Sequence, residues 1–377
     1  MAIKRLLKPI LINQIQAGKV LVLYGPRRCG KTFMIQSIQK ELNSKEKILF
    51  INGEDDGAQR KLSKRTIPPL KDYLGDSSLV IIDEAHKIPQ VGKILKFIVD
   101  SFPHIKLIVT GSASFALSQK VGEPLVGRQK KFRLYPISAR EIIAHENQFY
   151  FESSLEQRLI LGSYPELFSI SSQVDQQKYL NDLTDAYLFR DILEIEQVRN
   201  PKKLRDLLTL LAFQIGHEVS LSELGNQLDL HKDTVYSYLD LLEKSFILIN
   251  IRGFSRNLRK EVTKSSRYYF YDNGIRNALI KNFNPLSLRN DVGMLWENYL
   301  VMERLKHQSY TRLLSNNYFW RTYDKKELDW VEEREGKLFG YEIKWGKKKE
   351  KAPKGWLETY SQAEYKCINQ DNFLEFI

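Results

Sequence analysis

The feature that most constrains the fold is GPRRCGKT, Gly25–Thr32. It stands between a five-residue apolar run, Val20–Tyr24, and a segment with apolar residues at helical spacing, Phe33, Ile35, Ile38 and Leu42. A buried parallel strand, a glycine-rich loop and a helix are the setting in which this spacing binds phosphate. Gly25 and Gly30 let backbone N–H groups approach the phosphates, and the helix N-terminus adds positive potential. Lys31 is expected to reach the β- and γ-phosphates and Thr32 to ligand a divalent metal. The expected nucleotide contacts run through Gly25, Pro26, Arg27, Arg28, Cys29, Gly30, Lys31, Thr32 and Phe33. At Arg27 and Arg28 the backbone makes the contact, so their side chains are free to point elsewhere.

Two further strands complete the pattern. SSLVIIDEAHKI ends its apolar run in Asp83-Glu84. There Asp83 is expected to hold the Mg²⁺ shell and Glu84 to polarise the attacking water. IKLIVTGSAS ends in Thr110, Ser112 and Ser114, small hydroxyls suited to sensing a γ-phosphate. Polar residues at the ends of apolar strands place the ligand at the carboxyl edge of an open α/β sheet.

GPRRCGKT, LVIIDEAHKI, LIVTGSAS, LVGRQKKFRLYPISAREI and GSYPE, in that order, resemble the bacterial and archaeal AAA-superfamily ATPases with a C-terminal domain of unknown function. The resemblance covers nearly the whole chain and is the reason to expect ATP rather than GTP. It also places the family's Gly-Arg on Gly127-Arg128, which makes Arg128 a candidate for a γ-phosphate finger, in cis or across a subunit boundary. A guanidinium there would neutralise charge spread over the transferring phosphoryl group. A loop-pinning surface arginine is the alternative.

Residues 138–199 read as mostly helical. Beyond them, SLSELGNQLDLHKDTVYSYLDLLEKSFIL carries apolar residues at Leu221, Leu224 and Leu228, then at Val235, Leu239 and Leu242. That spacing describes two short amphipathic helices. With the helix beginning at Leu204 and the strand-like runs FILINIRGF and RYYFYDNGI, the reading is a winged helix. Lys232, Asp233, Tyr236 and Ser237 fall on the exposed face of its second helix. The basic residues Arg252, Arg256, Arg259, Lys260, Lys264 and Arg267 fall in the wing, where they could track a phosphate backbone.

The last segment reads as a helix carrying Glu297, followed by a hairpin with its turn at Gly336. Asp329 lies on the first strand, and Glu342 and Lys344 share one face of the second. This order resembles the PD-(D/E)XK nuclease core. The expectation is a divalent metal held by Glu297, Asp329 and Glu342, with Lys344 orienting water. A salt-bridged, solvated face is the alternative.

Composition sets the limits. The charge balance, 58 − 46 = +12, favours polyanionic partners. Two cysteines, Cys29 and Cys367, fit neither a disulfide framework nor a zinc site and suit a reducing cytoplasm. The longest apolar run, five residues, is far short of the roughly 20 that span a bilayer. The expected α/β architecture is therefore an AAA-type P-loop core with a parallel sheet (1–137), a helical connector (138–199), a winged helix (200–284) and a nuclease-like domain (285–377). The expected activity is ATP hydrolysis with Mg²⁺, coupled to a nucleic-acid-binding and nuclease-like half. A binding switch with a catalytically silent C-terminal domain is the competing expectation. Self-association is compatible with either.

Overall fold

The computed structural model describes residues 3–111, 125–186, 198, 200–255, 266–322 and 324–377. Ser112, Ser114, Arg256, Arg259, Lys260 and Lys264 lie outside the described residues. The chain divides into two compact units. The first holds the residues up to Ile137 together with Lys244–Phe246; the second holds Ser138–Glu243 and Ile247–Ile377.

The first unit is built on five parallel strands: β1 (Val20–Tyr24), β2 (Ile48–Asn52), β3 (Leu79–Asp83), β4 (Lys106–Gly111) and β5 (Gln129–Arg133). Their order is β2-β3-β4-β1-β5. β1, β3 and β4 are buried almost end to end, as strands covered on both faces must be. The core draws Val20, Val22, Val80, Ile82, Leu107 and Val109 from these strands. Against them pack Ile94, Leu95 and Ile98 of the helix Val91–Ser101. Because β1 lies beside β4 and β4 beside β3, the strand ends at Tyr24, Asp83 and Gly111 lie side by side at one edge.

In the second unit one sheet of seven strands joins two stretches that the sequence reads as separate domains. β6 (Glu218–Val219), β7 (Leu248–Gly253) and β8 (Ser266–Phe270) continue into β9 (Asn316–Arg321), β10 (Glu327–Arg334), β11 (Lys337–Ile343) and β12 (Glu364–Ile368). The order is β12-β11-β10-β9-β7-β8-β6. The join is a short parallel pairing of Arg252 with Tyr318 and of Gly253 with Phe319. The segments 200–284 and 285–377 are thus parts of one unit. The β10–β11 hairpin turns on Glu335 and Gly336, both at positive φ, with Arg334 opposite Lys337. That is the two-residue turn whose twist matches antiparallel strands. The helices Leu221–Leu228 and Lys232–Lys244 form as their apolar spacing predicts, the first capped by Ser220, whose side chain accepts from the Glu223 N–H. Lys232, Asp233, Tyr236 and Ser237 are exposed.

A buried polar network fixes the long helix Val292–Thr311 on the sheet. Arg304 donates from Nε and Nη2 to the two carboxylate oxygens of Glu332, at 2.5 and 2.8 Å. Glu332 Oε1 also accepts from Trp330 Nε1 and Gln308 Nε2. A buried carboxylate with this many donors is fully compensated. Among the described residues, no helix is long and apolar enough to cross a membrane.

Candidate nucleotide site and the acidic centre of the second unit

The loop after β1 bends where its glycines stand. Gly25 has φ 151°, and a Cβ there would come within 2.1 Å of the Leu134 carbonyl oxygen. Gly30, at φ 94°, caps the helix Lys31–Leu42 in the left-handed region, and Arg28 between them is left-handed too. No larger residue fits at Gly25 without moving backbone. Lys31 is buried, and its Nζ donates to the carbonyl oxygens of Gly25 and Pro26 at 3.0 and 2.7 Å. An ammonium has three donors, so this side chain stays inside the loop with one N–H beyond those two bonds. Thr32 and Phe33 are exposed on the first turn of the helix. Cys29 is fully buried; burial pushes its thiol up, and its carbonyl accepts from Arg5 Nη1 at 2.8 Å. It supports the loop from behind.

Thr110, fully buried at the end of β4, ties the loop's neighbours together. Its hydroxyl donates to Asp83 Oδ1 and accepts the Glu84 N–H at 3.0 Å. Glu84 stands in the left-handed region at φ 47°. Its Oε2 is 3.1 Å from His86 Nδ1. Burial alone would raise the Glu84 pKa. The close approach of His86 and the charges of Lys31 and Arg27 outweigh that and hold the carboxyl below its ordinary value. An ionised Glu84 beside the phosphate loop suits it to polarise water. The Thr32 hydroxyl and the buried Asp83 carboxylate are hard oxygen donors of the kind Mg²⁺ takes.

Arg128 does not join this site. Its carbonyl accepts the N–H of Val20, the first residue of β1, whereas the phosphate loop follows the last. At ~3.3 Å per residue the length of β1 puts the two ends ~13 Å apart. Its Nε bonds Asp100 Oδ1 at 2.8 Å. Because β5 runs parallel to β1, Arg128, which immediately precedes β5, lies at the sheet edge opposite the phosphate loop, and the structure does not bring it to its own loop. His86 escaped the sequence reading, signalled only by its place two residues after Glu84. Arg27, already expected at the nucleotide, also lends a charge felt by Glu84.

In the second unit Asp329, Glu342 and Arg267 are buried, and Glu297 beside them is half-buried. Asp329 Oδ2 accepts the Ile343 N–H at 2.8 Å. Glu342 Oε1 is 2.6 Å from Lys344 Nζ, and Glu297 Oε1 accepts the Tyr269 hydroxyl at 2.7 Å. Arg267 enters from β8: Nη1 is 3.6 Å from Asp329 Oδ1 and 3.9 Å from Glu297 Oε1, and Nη2 is 2.6 Å from Glu327 Oε2. One expectation and one alternative are corrected here. Arg267 is not an exposed wing residue. Glu342 is not on a solvated face, since Tyr341, Glu342 and Ile343 are buried alike. Burial, then repulsion from Asp329, raises the Glu297 carboxyl well above its usual range and the Glu342 carboxyl to about 7. Among the described residues no three His, Cys, Asp or Glu side chains are gathered to hold a metal ion.

Residues 17–143 match the family model described as an AAA domain. Residues 152–286 and 292–372 match two domains of unknown function, DUF8612 and DUF4143. An uncharacterized protein of Mycobacterium tuberculosis is 30% identical over 341 residues, which is 89% of this chain and 72% of that protein. This chain belongs to the same family as that protein. An uncharacterized protein of Methanocaldococcus jannaschii is 24% identical over 337 residues, covering 83% of this chain and 72% of that protein. Among solved structures, AMPPCP-bound DnaA from Aquifex aeolicus covers 63% of this chain and 85% of that chain at 14% identity. Its TM-score of 0.29 is too low to carry an argument. The phosphate loop, Asp83, Glu84 and Thr110 all lie in the AAA domain.

Proposed function

We propose that the AAA domain binds and hydrolyses ATP and that this cycle switches a nucleic-acid-binding state of the second unit. The observation that carries the first part is the tie through Thr110, which fixes Asp83 and Glu84 beside a loop already holding Lys31. Lys31 and the loop N–H groups orient the phosphates, and Glu84 takes the proton of the attacking water. Thr32 and Asp83 would hold Mg²⁺, which when bound shields the phosphate charge. Arg27 adds positive charge at Glu84.

Support for the second part is the +12 balance, with the side chains of Lys347 and Lys348 79% and 73% exposed. The exposed Lys232, Tyr236 and Ser237 on one helix face add a surface suited to a duplex. A protein partner for that surface, or a second copy of the chain, would fit the same switch. The test is fluorescence anisotropy of labelled duplex and single strands against salt, with ATP or ADP present. If about four phosphates are neutralised, a fourfold rise in salt weakens binding roughly 10²-fold. Salt-independent binding, or none in either nucleotide state, would end the nucleic-acid reading. A second reading, metal-dependent cleavage, is favoured only by the nearness of Asp329, Glu342 and Lys344.

A further inference from the structure

The second unit carries an unusual charge arrangement. Four carboxylates, Glu297, Glu327, Asp329 and Glu342, meet two cations, Arg267 and Lys344. The guanidinium does not reach in from solvent, because Arg267 is 3% exposed and stands on β8 between β6 and β7. Its position is fixed three ways. Its Cζ lies 4.5 Å over the Phe319 ring, Nη2 is held by Glu327, and the backbone pairs with Glu218 and Ile251. A delocalised cation stacked on an aromatic face and ion-paired is the buried state an arginine tolerates best. Burial would weaken its charge, but Tyr269, Glu297, Asp329 and Glu327 outweigh burial and keep it protonated.

We propose that Arg267 is the resident cation of this centre, standing where a metal-dependent site would hold its ion, so that the second unit works without a bound divalent metal. Glu297 and Asp329 turn one oxygen each toward the same guanidinium nitrogen, at 3.9 and 3.6 Å. A divalent ion needs its oxygens at ~2.0–2.6 Å from one point, and a guanidinium between the two carboxylates bars that approach. Glu342 Oε1 is held by the Lys344 ammonium at 2.6 Å, while its buried Oε2 makes no hydrogen bond among the described residues, so Lys344 is engaged and is not free to activate water on a metal. The inference deepens the proposed switch by removing cleavage from it. It does not depend on nucleic acid being the partner, because its test uses no nucleic acid.

The arrangement makes a counter-intuitive demand: deleting the positive charge should create a metal site. The probe is Mn²⁺ alone, titrated calorimetrically into the nucleotide-free full chain carrying Asp83→Asn to silence the phosphate loop. With Arg267 intact, no Mn²⁺ uptake that Glu342→Gln or Asp329→Asn abolishes is expected. Arg267→Met is expected to gain at least about tenfold in Mn²⁺ affinity as the repulsive charge leaves, and Asp329→Asn in that background should remove the gain. Uptake by the chain with Arg267 intact that disappears in Glu342→Gln would overturn the proposal. So would a folded Arg267→Met chain that takes up no more Mn²⁺ than its parent. Should Arg267→Met not accumulate as folded protein, the titration of the chain with Arg267 intact decides the matter alone.

Discussion

Replacing Thr110 by valine tests the geometry of the nucleotide site most sharply, because it removes one oxygen and almost no volume. Thr110 is fully buried in a central strand, and valine is equally suited to that backbone. The change takes a hydroxyl donor from the buried Asp83 carboxylate and an acceptor from the Glu84 N–H. A bond to a charged group contributes ~1.5–3 kcal/mol, and a buried N–H left without a partner costs ~1–3 kcal/mol. The two losses share one group and do not add, so a destabilisation of about 2–4 kcal/mol is expected. Glu84 holds a left-handed conformation that this bond helps to impose. Freed from it, the carboxylate loses its fixed aim at water. A positional loss of ~1.4–3 kcal/mol in the transition state lowers ATP turnover about 10- to 100-fold. Thr110→Ser keeps the oxygen and should retain most of the turnover. All five tryptophans lie in the second unit, so urea unfolding is best followed by far-UV circular dichroism, to which both units contribute. A valine variant with wild-type turnover and midpoint, or a serine variant as impaired as valine, would refute the reasoning.

Three further outcomes are expected. Gly25→Ala should abolish nucleotide binding, measured with a fluorescent ATP analogue, because its Cβ would meet the Leu134 carbonyl oxygen at 2.1 Å. Wild-type affinity would show that the loop can shift. Arg304→Met leaves the Glu332 carboxylate buried without its bidentate partner and should cost about 3–5 kcal/mol, read by Trp fluorescence in urea. An unchanged midpoint would mean that the network is dispensable. Burial raises the Asp272 carboxyl to about 6 against the N–H bonds from Ser163 and Gly274 and the charge of Lys306. Its folded pKa thus exceeds the unfolded value near 4, and the folded state binds the extra proton between them. Stability from this group is complete below pH ~4 and declines by on the order of 2–3 kcal/mol as pH rises to ~6. Asp272→Asn should flatten that interval relative to wild type, and an identical pH profile would contradict the assignment.

The first unit was largely legible because its signals are local. An apolar run, a glycine loop and a helix at fixed spacing declare one βα unit, and Asp83-Glu84 and Thr110 mark where two other strands end. Arg128 shows what order alone omits. The residue follows the third predicted strand in sequence, but only the parallel direction of β5 reveals that Arg128, just before it, lies at the edge away from the loop. The second unit was harder to read because its sheet is closed by pairing between residues far apart, Arg252 with Tyr318. Counting Arg267 among basic wing residues treated charge as a sign of exposure. Its sequence neighbours argued otherwise: Tyr268, Tyr269, Phe270 and Tyr271 form an apolar aromatic run, and a charge inside such a run is normally paired and buried. Glu342 and Lys344 do meet, at 2.6 Å, but β11 ends at Ile343 before Lys344, and alternation could not tell that both faces of the strand are covered.

The most direct test of the central claim is ATP turnover by the wild-type chain beside Glu84→Gln and Lys31→Ala, with ATP binding measured on the same preparations. The account predicts turnover in wild type and a loss of at least about 10²-fold in Glu84→Gln with ATP still bound, since a positioned base contributes that much. It also predicts loss of ATP binding itself in Lys31→Ala. Wild-type protein that binds ATP without hydrolysing it, or Glu84→Gln that turns over ATP as fast as wild type, would contradict it.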